Sequence, residues 1–189
     1  PSEAVISAPG YYQHEQLALL LGITEACGLK VMGMVDTSVA AVASCAPQGS
    51  YTVADIHQHR VTLTTVDVGE RVRRAAIYCV DHVGTNRIHE ACVEVVADAF
   101  LEQSRFDPLH EADTEQLLYG HLPTWFEIAN ARNEIEVSVT YQGNRFAAKV
   151  PTRDIEHVTQ MVLSPVRDQI AGNSRLLLSA NLAHIPGAT

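Results

Sequence analysis

The spacing of apolar residues along this chain switches repeatedly between the strand period and the helix period, and each switch marks an expected element. Ala4-Val5-Ile6-Ser7-Ala8 is a short apolar run closed by Pro9-Gly10, which predicts a buried strand and a turn. From 12 to 27, Leu17, Leu20, Leu21, Ile23 and Ala26 recur at roughly helical spacing, with Gly28 placed as a C-terminal stop. A second strand at 30–35 and an alanine-rich helix at 38–44 complete a β-α-β-α unit, the kind that builds parallel sheets.

Ala46-Pro47-Gln48-Gly49-Ser50 interrupts both periods and predicts a linker, so residues 1–45 and 51–189 are expected as separate parts. Beyond it, 51–56, 60–68 and 71–80 are rich in Val, Thr and Ile and predict a meander of antiparallel strands. A helix follows over 88–103, with Ile88, Cys92, Val95, Val96 and Ala99 on one face. Residues 109–128 read as helical with a break around Gly120 to Pro123. Strict alternation over 134–140 and 145–150 about Gln142-Gly143-Asn144 predicts a β-hairpin. Thr152 is expected as the N-cap of a helix through Ile170, with Ile155, Val158, Val162 and Val166 inward and Gly172 at its end. Leu176 to Ser179 reads as a last buried strand. The stretch around 104–152 is a small α/β insertion, with Trp125 and Phe126 in its core.

Composition narrows the function classes. With 189 residues, 47% of them hydrophobic, the chain has room for one or two packed domains, which excludes disordered and collagen-like classes. The 22 acidic residues outnumber the 13 basic ones for a net charge of -9, and the Arg and Lys residues are scattered, so no stripe exists to neutralise phosphates and nucleic acid is not an expected partner. No signal peptide and no apolar run of bilayer-spanning length is visible; neither secretion nor a membrane partner is expected, and the location is expected to be cytoplasmic. Cys27, Cys45, Cys79 and Cys92 lie far apart without a C-x-x-C pair and read as buried free thiols rather than a metal cluster. The chain has no initiating Met and enters strand-like sequence almost at once, so it reads as a piece of a longer protein.

The order of these elements, together with several short motifs, resembles the ATPase domain of the seventy-kilodalton heat-shock chaperones (DnaK-like) within the actin-like ATPase superfamily. Ala8-Pro9-Gly10-Tyr11-Tyr12, with Gln16 beyond it, resembles the family's V-P-A-Y-F; Cys27-Gly28-Leu29-Lys30-Val31 is similar to A-G-L-N-V, and His82-Val83-Gly84 to H-L-G. Gly143-Asn144-Arg145-Phe146, Val150-Pro151-Thr152-Arg153 and Leu163-Ser164-Pro165-Val166-Arg167 resemble G-x-x-F, L-T-R and L-x-P-V-x. Leu176-Leu177-Leu178 with Ile185-Pro186 is similar to V-L-V-G-G-S-x-R-I-P. The resemblance implies an α/β actin-like (ribonuclease H-like) fold, with 1–45 as the end of the first lobe and 51–189 as the second, and without the segment that carries the family's first phosphate hairpin and catalytic lysine.

ATP hydrolysis in such a fold needs backbone amides close around the phosphates, hence glycines, and carboxylates that hold hydrated Mg²⁺ and orient the attacking water. The family's second phosphate loop, D-L-G-G-G-T, is matched here by Asp55-Ile56-His57-Gln58-His59-Arg60. The resemblance implies Asp55 as a carboxylate acting on Mg²⁺ through water; on its own it is a polar strand end. His57, Gln58 and His59 place β-carbons where only glycine lets a phosphate approach the backbone. His57 and His59 share a strand face, as a metal pair would, and the same residues with Arg60 also fit a loose anion contact or a solvated turn. The acid motif N-E-P-T-A-A-A-L is matched by 35–42 in two registers, which put either Asp36 or Thr37 on the catalytic position. Gly84 is carried over as a nucleotide contact, although Asn86-Arg87 replaces the acidic pair that follows it. Ser179-Ala180-Asn181 stands where the family's adenosine-binding glycines would be, and the E-x-x-K-R adenine clamp has no counterpart in 115–125, which lacks Lys and Arg.

The expected function is therefore a fragment of a DnaK-like nucleotide-binding domain with weak or lost ATP chemistry. ATP or ADP with Mg is the family's cofactor, and none is expected to bind tightly here. Client or co-chaperone proteins are the implied partners. Self-association is expected through open strand edges and the face of Leu17, Leu20 and Leu21. The alternative is an actin-like scaffold or cell-division-type protein working by assembly; a sugar or acetate kinase would need an intact glycine loop, which is missing.

Overall fold

A computed structural model describes residues 3–170 and 175–189. In chain order they form β1 (Glu3–Ala8), α1 (His14–Ala26), β2 (Lys30–Asp36), α2 (Thr37–Cys45), β3 (Gly49–Ile56), β4 (Arg60–Val68), β5 (Val72–Asp81) and α3 (Thr85–Ser104). After these come α4 (Ala112–Ala129), β6 (Glu134–Tyr141), β7 (Asn144–Pro151), α5 (Thr152–Arg167), β8 (Arg175–Leu178) and α6 (Ala180–Ala183). Two compact units result: Pro1–Asp55, Thr62–Val80 and Ile170–Leu178 in one, and Ile56–Val61, Asp81–Gln169 and Ser179–Thr189 in the other.

In the first unit β1 and β2 pair in parallel, with Ala8 opposite Asp36 and a register shift between Ala4 and Val5. β1 was expected to be buried, yet it alternates and buries only Ala8, while Glu3, Val5 and Ser7 share an uncovered face. On α1 the inward stripe is Leu17, Leu20, Leu21 and Thr24; Ile23 lies one position off this stripe and is exposed. The larger sheet has the order β5-β4-β3-β8. β3 to β4 and β4 to β5 are joined by turns of a few residues, which only antiparallel neighbours allow, whereas β8 lies parallel to β3 with Tyr51 opposite Arg175. β3 starts at Gly49, inside the stretch expected as a linker. Val42, Tyr51, Val53 and Val66 form the core here, with Val39 and Leu177 packed against it. β8 was expected to be buried, but it sits at a sheet edge and leaves Leu176 exposed.

In the second unit α3 buries Ile88, Ala91, Cys92, Val93, Val96 and Phe100 and packs on β7 and α5, while α4 packs on β6. α4 runs unbroken through Pro123, against the expected break, because Leu118, Leu122, Trp125 and Phe126 are all buried on its inner face and their packing outweighs the missing backbone bond. β6 and β7 form the expected hairpin in antiparallel register from Tyr141 opposite Asn144 to Glu134 opposite Pro151. Gln142 and Gly143 both have positive φ, 48° and 79°, as a type I′ turn requires. Thr152 is not the cap of α5 but its first residue: Pro151 holds the cap position, and the Thr152 hydroxyl donates to the Arg132 carbonyl at 2.7 Å. α5 ends at Arg167, and Gly172 lies outside the described residues.

The cysteines are free, but only Cys92, on the inner face of α3, is buried, and burial pushes its thiol up to about 12. Cys27 and Cys45 sit at helix ends and are exposed, which corrects the expectation of buried thiols, and Cys79 on edge strand β5 is half-buried. Among the described residues no helix is long and apolar enough to cross a membrane. This mixed α/β arrangement is compatible with the actin-like expectation without identifying it.

Candidate functional site

Asp36 ends β2 and caps α2, with Oδ1 accepting from the amides of Ser38 at 2.8 Å and Val39 at 3.4 Å. Its Oδ2 accepts from Arg74 Nη1 at 2.7 Å, and the same Nη1 donates to the Gly10 carbonyl at 2.6 Å. A β-carbon on Gly10 would meet both the carboxylate and the guanidinium, so a larger residue there would displace this ion pair. Thr37 is the first residue of α2. A cleft of about 380 Å³ opens at this point, beside Tyr12, Leu17 and Met34, at the C-terminal ends of two parallel strands where α/β sheets commonly hold ligands. Both oxygens of Asp36 are thus engaged in capping and ion pairing; the position resembling a catalytic acid holds the fold together at this end. Asp55 is half-buried near the end of β3.

In the second unit, His57, Gln58 and His59 form the turn after β3, closed by the His57 amide on the Arg60 carbonyl at 2.8 Å. The turn rests on the N-terminus of α3. The Thr85 amide donates to the His57 carbonyl at 3.0 Å and the Asn86 amide to the Gln58 carbonyl at 3.1 Å. Gly84, the backbone cap of α3, is brought together with these residues; its α-carbon lies so close that a β-carbon would meet Gln58 O, Arg60 N and His57 O within 2.6 Å. Two amides at this helix start, the groups an anion would need, already have carbonyl partners. The loop therefore does not fit a phosphate: it lacks glycines, and its own backbone caps the adjacent helix. Among the described residues, no group of three or more His, Cys, Asp or Glu is placed to hold a metal ion.

Ser179 caps the short α6, its Oγ accepting from the Leu182 amide at 3.3 Å, and Ala180 opens that helix. Asn181 lines a cleft of about 680 Å³ with His89 of α3 and Phe126, Glu127 and Asn130 of α4. Burial lowers the pKa of His89, whose ring lies 5.9 Å from that of Phe126. The Asn130 side-chain amide donates to the His184 carbonyl at 2.8 Å, fastening α4 to the segment after α6. Sequence reasoning missed the contribution of α4, because an assumed break at 120–123 hid the helical spacing that puts Pro123, Phe126, Glu127 and Asn130 on one face. It also passed over His89, whose signal was its place one turn beyond Thr85 on α3. No family model matches the chain, and no curated protein matches its sequence.

Proposed function

We propose that this chain is part of the nucleotide-binding domain of a DnaK-like molecular chaperone, cytoplasmic and acting on client or co-chaperone proteins, in which ATP binding and hydrolysis have become weak or lost. The family part of this reading rests on the motif resemblance and on an element order compatible with it. The observation that carries the loss of nucleotide chemistry is the His57-Gln58-His59 turn, whose carbonyls occupy the Thr85 and Asn86 amides at the start of α3. Two further features support it: Asp36 has both carboxylate oxygens engaged, and among the described residues no Lys or Arg that would meet a phosphate lines the cleft around Asn181. Each lost phosphate contact removes about 1.5–3 kcal/mol for a charged partner, enough to take a micromolar nucleotide site to about millimolar.

Calorimetric titration with Mg-ATP tests this. The expected outcome is a dissociation constant no tighter than about millimolar, worth roughly 4 kcal/mol, and no turnover. A micromolar constant that Asp55→Ala abolishes overturns it. The second reading, an actin-like scaffold working through assembly, is favoured by one feature: Val5 and Met32 of the β1–β2 pair and Leu19 and Ile23 of α1 are all more than half exposed.

A further inference from the structure

The 680 Å³ cleft of the second unit falls within the range of clefts that enclose small organic ligands, about 300–1,000 Å³. Its lining is graded by depth. Phe126 and Ile185 are buried and His89 is half-buried, giving an apolar and aromatic floor. Glu127, Asn130 and Asn181 are exposed at its mouth. Among the described residues Glu127 is the one carboxylate of the lining, and neither Lys nor Arg contributes to it. One of the two N–H groups of the Asn130 side-chain amide is held by the His184 carbonyl. Burial holds His89 toward its neutral form, so it does not offset Glu127. An anionic ring would meet a like charge with no Lys or Arg beside it; a ring that carries an ammonium group would cover the apolar floor and leave its charge beside the carboxylate.

We infer that this cleft is a binding site for an aromatic amine, a planar ring bearing an ammonium group, with the ring on Phe126 and Ile185 and the ammonium toward Glu127. This goes beyond the chaperone reading and does not depend on it: Mg-ATP binding and amine binding are separate titrations, and either can fail alone.

The test uses the full 189-residue chain and two probes that share a ring and differ in charge, tryptamine and indole-3-propionate, followed by amide chemical shifts at Thr85, His89, Ala183 and Ile185. Tryptamine is expected to shift these amides and to bind about fivefold tighter than indole-3-propionate at low salt, the size of one exposed charge contact. That preference is expected to fade with added salt and to vanish in Glu127→Gln, a substitution at an exposed position. A Phe side chain at the rim, through Ala183→Phe, is expected to weaken both probes. The inference is overturned if indole-3-propionate binds as well as tryptamine, if the preference survives Glu127→Gln, or if neither probe shifts these amides.

Discussion

Gly84→Ala isolates the seat of the β3–β4 turn on α3. Gly84 has φ −151°, extended backbone that alanine adopts without strain, so the whole effect comes from the added methyl group. That carbon would lie 2.5 Å from Gln58 O and 2.6 Å from Arg60 N and His57 O, all backbone atoms, whereas ordinary contact begins near 3.4 Å. Relief requires the turn and the helix to separate by up to about 1 Å, which takes the 3.0 and 3.1 Å bonds from Thr85 and Asn86 out of hydrogen-bonding range. Overpacking costs about 1–3 kcal/mol and each lost bond about 1 kcal/mol, for an expected destabilisation of about 3–5 kcal/mol. Urea denaturation followed by the fluorescence of Trp125, which lies in the same unit, reads this directly. Gly120→Ala serves as the internal control: Gly120 lies within α4, a β-carbon there meets nothing within 4 Å, and removing a helical glycine is expected to stabilise by about 0.5–1 kcal/mol. A loss below about 1 kcal/mol for Gly84→Ala would refute the picture of a turn locked onto the helix start.

Asp36→Ala removes the α2 cap and the ion pair with partly exposed Arg74, and is expected to cost about 1–2 kcal/mol in thermal or chemical denaturation; an unchanged midpoint would show that Asp36 is not structural. His89 has a lowered folded pKa, so below its ordinary 6.5 the unfolded chain takes up a proton that the fold resists. Stability is therefore expected to fall as pH drops from 6.5 through the folded pKa, and His89→Leu should flatten that part of the denaturation–pH profile; identical slopes would count against the burial effect.

Local signals carried most of the element reading. The β6–β7 hairpin was legible because strict alternation and Gln142-Gly143 state both the register and the turn, and nothing distant needs to be known. Gly28 was legible as a helix stop for the same reason, with φ 72° just after α1. What escaped depends on partners far along the chain. Pro123 reads as a break until β6 is known to cover the α4 face beside it. The ion pair of Asp36 with Arg74 joins β2 to β5 across 38 positions, so no local pattern announces it. Thr152 looks like a cap, but its hydroxyl is directed to Arg132, in the turn between α4 and β6, rather than to its own helix. For the site, the altered turn at 57–59 was visible as missing glycine, while the capping of α3 by that turn was not, since it is made by backbone carbonyls that every residue possesses.

The parallel pairing of β3 with β8 has a consequence for how the chain is made. Tyr51 and Arg175 face each other across it although they are 124 positions apart, and the long stretch Asp81–Gln169 of the other unit lies between them in the sequence. At about 5–20 residues per second, a ribosome would release β3 roughly 6–25 s before its outer neighbour emerges. Throughout that interval β3 presents an unpaired edge to other nascent strands, while the α3–α5 segment with its β6–β7 hairpin emerges and has time to begin packing. Slowing translation downstream of residue 170 should therefore leave the Asp81–Gln169 part of the second unit more protected from protease than the first unit while the large sheet is still incomplete, so that misassembly of this chain concentrates on the edge that β8 arrives late to cover.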